Sequence, residues 1–401
     1  MKIGTGHLSY CTNIHAGESW SEIFKNLEIY ILEVKSRTSP NVPFGIGLRL
    51  SNIAAEELSK KETLDNFKTW LKEHQLYVYT MNGFPFGSFH GEVIKDQVHA
   101  PDWTHISRKN YTKQLFDILG ELLPESLTGG ISTSAISYKF GYNNSSELEK
   151  AKTQACSAII DVVIHLMDIK SKTGKTLHLD IEPEPDGIIE NSNEFVAFYN
   201  EFLIKKGISE LQTLKECTRA EAELAIREHV QLCFDICHSA VAFEKTSEVI
   251  SLMNTHKIKI GKLQLSSALK CHIDGNYTLE ELQDHLLAFH EPNYLHQAII
   301  KTKNAEFRKF IDLDVAIEAM QSATFQGLRT HYHVPIFLAD YQKLQSTQDD
   351  LIEVLKLWKD NAFTNHLEIE TYTWDVLPDQ MQTDITTVVT REMEWVLNQI
   401  N

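Results

Sequence analysis

The run Thr176-Leu177-His178-Leu179-Asp180-Ile181-Glu182 decides the fold. Leu177, Leu179 and Ile181 fall on one face of an extended chain, and His178, Asp180 and Glu182 on the other. A two-residue period marks a β-strand, because successive side chains leave a pleated chain on opposite sides. The pattern returns twice. In Leu232-Cys233-Phe234-Asp235-Ile236-Cys237-His238 the apolar residues alternate with Cys233 and Asp235, and His238 follows. In His366-Leu367-Glu368-Ile369-Glu370 they alternate with His366, Glu368 and Glu370. Three strands that each end in a carboxylate on the same phase need a reason, and a shared metal ion is the most economical one.

Working outward, strand-like runs lie at 2–9, 45–50, 76–82, 128–134, 176–182, 231–236, 260–266 and 366–371. Amphipathic stretches separate them at 18–35, 53–74, 107–122, 146–172, 191–204, 218–229, 245–255 and 347–360, and a last one covers 381–399. Eight strands alternating with helices imply a parallel sheet, and eight is the number that closes into a (β/α)8 TIM barrel. An open doubly wound sheet normally brings a Gly-rich phosphate turn after its first strand. Gly4-Thr5-Gly6-His7 is too short to be one. The stretch between the seventh and eighth strands is far longer than a crossover needs, so residues 267–345 are read as an insertion within a single domain spanning 1–401. Inside it, 331–337 reads as an extra extended segment.

The 401 residues are 42% hydrophobic and 23% charged, which suits a sizeable core in an ordinary globular chain. A net charge of −17 disfavours a nucleic-acid groove, whose affinity rests on neutralising phosphates. It equally disfavours an anionic membrane surface. No apolar run approaches the roughly 20 residues of a membrane span, and the N-terminus lacks the apolar stretch of a signal peptide. The six cysteines are scattered, with no Cys-x-x-Cys pair, so reduced thiols and a cytoplasmic location are expected. Cys233 and Cys237 read as buried small hydrophobes rather than ligands.

Active groups in such a barrel sit at the C-terminal ends of the strands. Taking the polar phase as inward, the strands in order offer His7 and Ser9, Arg49, Thr80 and Asn82, Ser132 and Ser134, Glu182, Asp235, Gln264 and Ser266, and Glu370. Glu182, Asp235 and Glu370 would form a carboxylate cage. Oxygen ligands suit Mg²⁺ or Mn²⁺, and added imidazoles move the preference toward Zn²⁺ or Fe²⁺. His238 follows Asp235 by three residues, and His331 and His333 share a face of an extended segment, so the three could build a second, imidazole-rich site. Asn82–Gly87 with His90 and Gly91 reads equally as a substrate lid or a tightly packed turn. Arg49 could hold an anionic substrate or pair with the cage. Glu184 and Asp186 read as parts of a rigid turn, and Tyr372 and Trp374 as packing residues, with the lining of an apolar wall as the alternative.

The order Glu182, then Asp235-x-x-His238, then a late Glu370 resembles the xylose-isomerase-like barrels, which include sugar epimerases, inosose dehydratases and endonuclease IV. The resemblance implies a divalent metal held by a glutamate after strand five, an aspartate after six, a histidine after seven and a glutamate after eight. Strand seven departs from it, since Lys262-Leu263-Gln264-Leu265-Ser266 offers Gln264; the fourth ligand is then Gln264 through its amide oxygen, or a histidine from the insertion. His238 with His331-x-His333 is similar to the additional histidine-rich site of endonuclease IV.

A second resemblance spans nearly the whole chain. Gly6–His15 with Gly17–Trp20, Phe44–Ser51, Asn82–Gly87 with His90-Gly91, His331–Pro335 and Leu367–Leu377 look like the corresponding strings of the EboE proteins, called metabolite traffic proteins. That resemblance implies the handling of a small-molecule precursor, with other proteins of the same pathway as partners.

The functional expectation is a metal-dependent isomerase or epimerase acting on a small polyol or sugar-like metabolite. Glu182 and Glu370 would combine ligation with proton transfer, and His7, Arg49, Asn82 and His90 would meet the substrate. A phosphoester hydrolase with two or three metal ions is the alternative enzyme. A non-catalytic metabolite carrier is the alternative of another class.

Overall fold

The computed structural model describes residues 1–87, 95–273, 275–321, 323–373, 377 and 384–400. Eight parallel strands form its centre: β1 (Gly6–Tyr10), β2 (Phe44–Arg49), β3 (Leu76–Asn82), β4 (Gly129–Thr133), β5 (Leu177–Ile181), β6 (Val230–Asp235), β7 (Ile260–Leu265) and β8 (His366–Ile369). From β2 to β8 each strand pairs with the next, and β8 also pairs in parallel with β1. A parallel bridge between Cys11 and Gly47 joins β1 to β2 and closes the ring. The expected (β/α)8 barrel is therefore present.

The first strand starts later than its hydrophobic pattern indicates. Lys2 and Ile3 fold back antiparallel onto His7 and Gly6, turning at Gly4, whose φ of +51° a side chain would disfavour. The barrel strand proper begins at Gly6, which puts His7 near its N-terminal end.

On β5, Leu177, Leu179 and Ile181 are fully buried beneath the surrounding helices. One of these, Ser145–Thr173, is capped at its start by Asn144, whose side chain accepts the N–H of Glu147, and ends at Gly174 in the left-handed conformation. The other phase of the strands fills the barrel, usually with branched aliphatic residues. Here it is polar. Lys262 and Glu368 form a 2.7 Å ion pair with no exposure on either side chain, and Lys262 Nζ also donates to Ser132 Oγ (3.2 Å) and the Met81 carbonyl (3.1 Å). Gly47 makes room for this pair, since a methyl group there would overlap the Glu368 carboxylate. Toward the start of β5, His178 Nδ1 lies 2.7 Å from Asp180 Oδ1.

Between β7 and β8 the chain builds a second, six-stranded sheet in which every pairing is antiparallel. Its spatial order is Phe307–Phe310, Ala298–Thr302, Phe325–Thr330, Leu269–His272, Leu344–Ser346 and Asp340–Tyr341. The strand ending at Thr330 delivers His331 and His333 to the barrel mouth. The regular strand lies before the histidines rather than over 331–337, and residues 331–335 are irregular. Among the described residues no helix is long and apolar enough to cross a membrane.

Candidate metal centre

Glu182 follows β5, Asp235 ends β6 and Glu370 follows β8, all three at the C-terminal mouth and all buried. One oxygen from each lies within 4.8 Å of the others. Asp235 is held twice, its Oδ1 accepting the His238 N–H (2.9 Å) and the Ser266 hydroxyl (2.8 Å). It thereby caps the short helix Ile236–Val241, which sets His238 over the cage. Glu370 Oε1 accepts from the amides of Asn13 (2.7 Å) and Asn82 (2.8 Å).

Burial, and then the charges of Glu370 and Asp235, hold the Glu182 carboxyl well above the usual carboxylate range. Burial, and then Asp235 and Glu368, push Glu370 up to about 8. Like charges this close cannot all ionise without a compensating cation. The Asp235 Oδ2 atom is buried without a hydrogen-bond partner, an acceptor that a cation would satisfy.

The histidines make the same case through their tautomers. Burial lowers the pKa of His238, takes His331 well below the ordinary value and brings His333 to about 4. Each ring is then neutral, with one N–H and one lone pair. His333 Nδ1 faces the Glu370 carbonyl (2.9 Å) and His238 Nδ1 the Pro183 carbonyl (3.1 Å). Both nitrogens must donate. His331 Nδ1 faces Gln297 Oε1 (2.9 Å), an amide oriented by its own NH₂ toward the Pro185 carbonyl (3.5 Å). Every Nε2 is therefore left with its lone pair. His238 Nε2 and His331 Nε2 nevertheless sit 3.0 Å apart, and His333 Nε2 is buried with no partner. The Tyr372 hydroxyl, 3.4 Å from His331 Nε2, is too distant to donate well. Ring N–H groups pointing at carbonyls are the usual second contact of metal-bound histidines. A separation near 3.0 Å also suits two nitrogens on one ion with bonds of about 2.0–2.1 Å. Asp235, His238 and His333 form a further group whose ligand atoms lie within 4.8 Å of one another. These residues fit a divalent cation.

The cavity above the cage takes its polar lining from residues that include Asn13, Asn82, Glu182, His238, His331 and Glu370. Phe84, Pro85, Tyr294, Leu295 and Tyr372 also line it, so Tyr372 faces the cavity instead of only packing. Glu184 and His99 also line it, with His99 Nδ1 3.1 Å from Glu184 Oε1. The sequence reading missed Asn13 and His99 and placed Glu184 in a turn. Only the Asn13 position, just past the end of β1, carried a signal that could have found it.

Other expected residues stand elsewhere. Gln264 reaches the cage but presents its NH₂ to Glu182 (3.3 Å) and Glu370, while Cys233 Sγ lies 3.0 Å from its oxygen. It bridges two carboxylates as a donor, and His333, from the stretch between β7 and β8, lies with Asp235 and His238. His7 pairs with the Tyr77 hydroxyl (2.7 Å) near the start of β1, away from the cavity. Arg49 is tied to Glu18 (3.1 Å) and to the carbonyls of Gly17 and Gly87, so it neither lines the cavity nor pairs with the cage. Asn82 does face the cavity. His90 and Trp374 lie outside the described residues.

The fold is that of the xylose-isomerase-like TIM barrels. The chain is similar to a xylose isomerase-like TIM barrel protein from Mycobacterium smegmatis in complex with magnesium, at 9% identity and a TM-score of 0.51, over 100% of this chain and 98% of that one. A xylose isomerase domain protein from Planctomyces limnophilus is similar at 12% identity and a TM-score of 0.50, over 98% and 96% of the two chains. A D-tagatose 3-epimerase-like protein is similar at 9% identity and a TM-score of 0.50, over 98% of each. No known protein family and no curated protein matches the sequence.

Proposed function

We propose that this protein is a metal-dependent isomerase or epimerase acting on a small polyol or sugar-like metabolite. The observation that carries the reading is the convergence of Glu182, Asp235 and Glu370 at one point, with Glu182 and Glu370 lining a cavity. Glu182, Asp235 and Glu370 would hold one divalent cation, with His238, His331 and His333 beside it. When bound, the cation supplies positive charge to a carbonyl or hydroxyl oxygen of the substrate. Glu182 and Glu370 come from strands separated by two others in the sheet, so each would reach a bound substrate from its own strand end. One takes the proton from a carbon next to the carbonyl, and the other returns one to the product. Asn13 and Asn82 hold the Glu370 carboxylate in place, and the aromatic wall of Phe84, Tyr294 and Tyr372 limits water.

The names of the magnesium-bound and epimerase-like neighbours agree with this chemistry. The resemblance of Gly6–His15, Phe44–Ser51 and Leu367–Leu377 to the EboE proteins supports a setting in which a precursor metabolite is handled alongside other proteins. The histidine cluster favours a second reading, phosphoester hydrolysis at a two-metal site. Lys95 is the only cationic residue lining the cavity among the described residues, and it lies 3.3 Å from Asp312, which offers a phosphate little. Incubation of the metal-loaded protein with a panel of neutral ketoses and polyols in D₂O tests the proposal. Deuterium should enter a carbon-bound position of one substrate, and Glu370→Gln should abolish the exchange. Release of inorganic phosphate from sugar phosphates, without exchange, would favour the hydrolase.

A further inference from the structure

Cys237 has the appearance of a packing residue. It is fully buried, and Ala240, Val241, Ala268 and Ile299 cluster with it. Its Sγ also lies within 4.8 Å of ring nitrogens of both His331 and His333. The position is fixed, because the Cys237 N–H donates to Ser266 Oγ (2.9 Å), and that hydroxyl donates to Asp235 (2.8 Å). One serine thus orients both the aspartate of the cage and the backbone of the cysteine. His333 Nε2, buried and unpartnered, is an independent sign that something other than protein belongs at this point. The thiol lies off the cavity wall, whereas His238 and His331 line it. The sulfur therefore approaches the imidazoles from their closed side, and the carboxylate cage opens to the cavity.

We propose that Cys237, as its thiolate, joins His331 and His333 in holding a thiophilic divalent cation on the closed side of the imidazole cluster. Sulfur and imidazole donors select Zn²⁺ over the hard Mg²⁺ that a carboxylate cage accepts. The centre then holds two ions of different hardness, an inner one fixed by sulfur and nitrogen and an outer one, held by oxygen, that meets the substrate. As the sulfur–metal bond forms, the thiol proton passes to solvent. Cys233 is excluded from this role because its Sγ lies against Gln264 and Glu182. This inference rests on the reading of the site as a metal centre.

Cobalt substitution tests it. The metal-free protein is titrated with Co²⁺ alone and followed by absorption, where a thiolate ligand gives an intense near-ultraviolet charge-transfer band and nitrogen or oxygen ligands give only weak visible bands. The native protein should show the intense band, Cys233→Ser should keep it, and Cys237→Ser should lose it while keeping the visible bands. Zn²⁺ affinity of Cys237→Ser should fall at least about 10-fold, the loss that even outer contacts of a metal site bring. Weak visible bands without the intense one in the native protein would overturn the role of Cys237 and leave the metal centre standing, whether or not the variant folds. An intense band that survives Cys237→Ser would do the same. No uptake of cobalt would overturn both.

Discussion

Asp235 Oδ1 accepts the backbone N–H of His238 at 2.9 Å, while its Oδ2 is buried without a partner. One carboxylate therefore caps a helix and leaves an oxygen for a cation, so the local fold and the metal centre share a residue.

The two roles separate by substitution. Asn caps a helix about as well as Asp, and Ala does not, at a cost of roughly 1 kcal/mol. In the presence of EDTA, Asp235→Asn should match or exceed the native protein in urea denaturation, because it removes a buried charge from the cage, and Asp235→Ala should be less stable. With metal added, both should lose the stabilisation that the native protein gains. Equal behaviour of Asn and Ala in EDTA would show that the cap contributes nothing.

Lys262 and Glu368 are paired in the centre of the barrel with no access to water. Removing one partner strands a charge, which costs about 3–5 kcal/mol, whereas removing both by apolar residues of similar volume is often neutral. Lys262→Met should therefore destabilise strongly, and Lys262→Met with Glu368→Leu should recover most of the loss. Chemical denaturation of the single and double variants measures the coupling.

Glu392, on the helix Ile385–Ile400, is buried and accepts from the Ile336 N–H (3.2 Å) and the Thr371 hydroxyl (2.7 Å). Burial pushes its carboxyl up to about 7. A carboxyl whose pKa rises on folding favours the folded state while protonated. That advantage is complete below the ordinary value near 4.5 and is lost as the pH climbs through 7. Glu392→Gln, which stays neutral, should gain on the native protein by up to roughly 3 kcal/mol at pH 8 and show little difference near pH 4. Thermal melts across that range check both the sign and the window.

The alternation of β5, β6 and β8 identified the barrel and its three carboxylates because period two assigns each residue to a face. It says nothing of height along the strand. His7 shares the polar phase of β1 but stands near its start, since Lys2 and Ile3 belong to a separate hairpin. Arg49 has the right height and face but is claimed by Glu18 and two carbonyls supplied by loops. Loop residues such as Asn13 and His99 enter the cavity only through tertiary convergence, which no local period records. The stretch between β7 and β8 was legible as extra length. Its sheet was not, because strands such as Asp340–Tyr341 and Leu344–Ser346 are too short to display alternation.

Metal content measures the central claim most directly. The purified protein is equilibrated with divalent Zn, Mn, Mg and Fe in turn, dialysed against metal-free buffer and subjected to elemental analysis alongside Glu182→Gln and Asp235→Asn. The account predicts at least one tightly held divalent ion per native chain, and a clear loss in both variants while they remain folded. A native protein that retains no metal, or variants that retain all of it, would contradict the assignment of Glu182, Asp235 and Glu370 as its ligands.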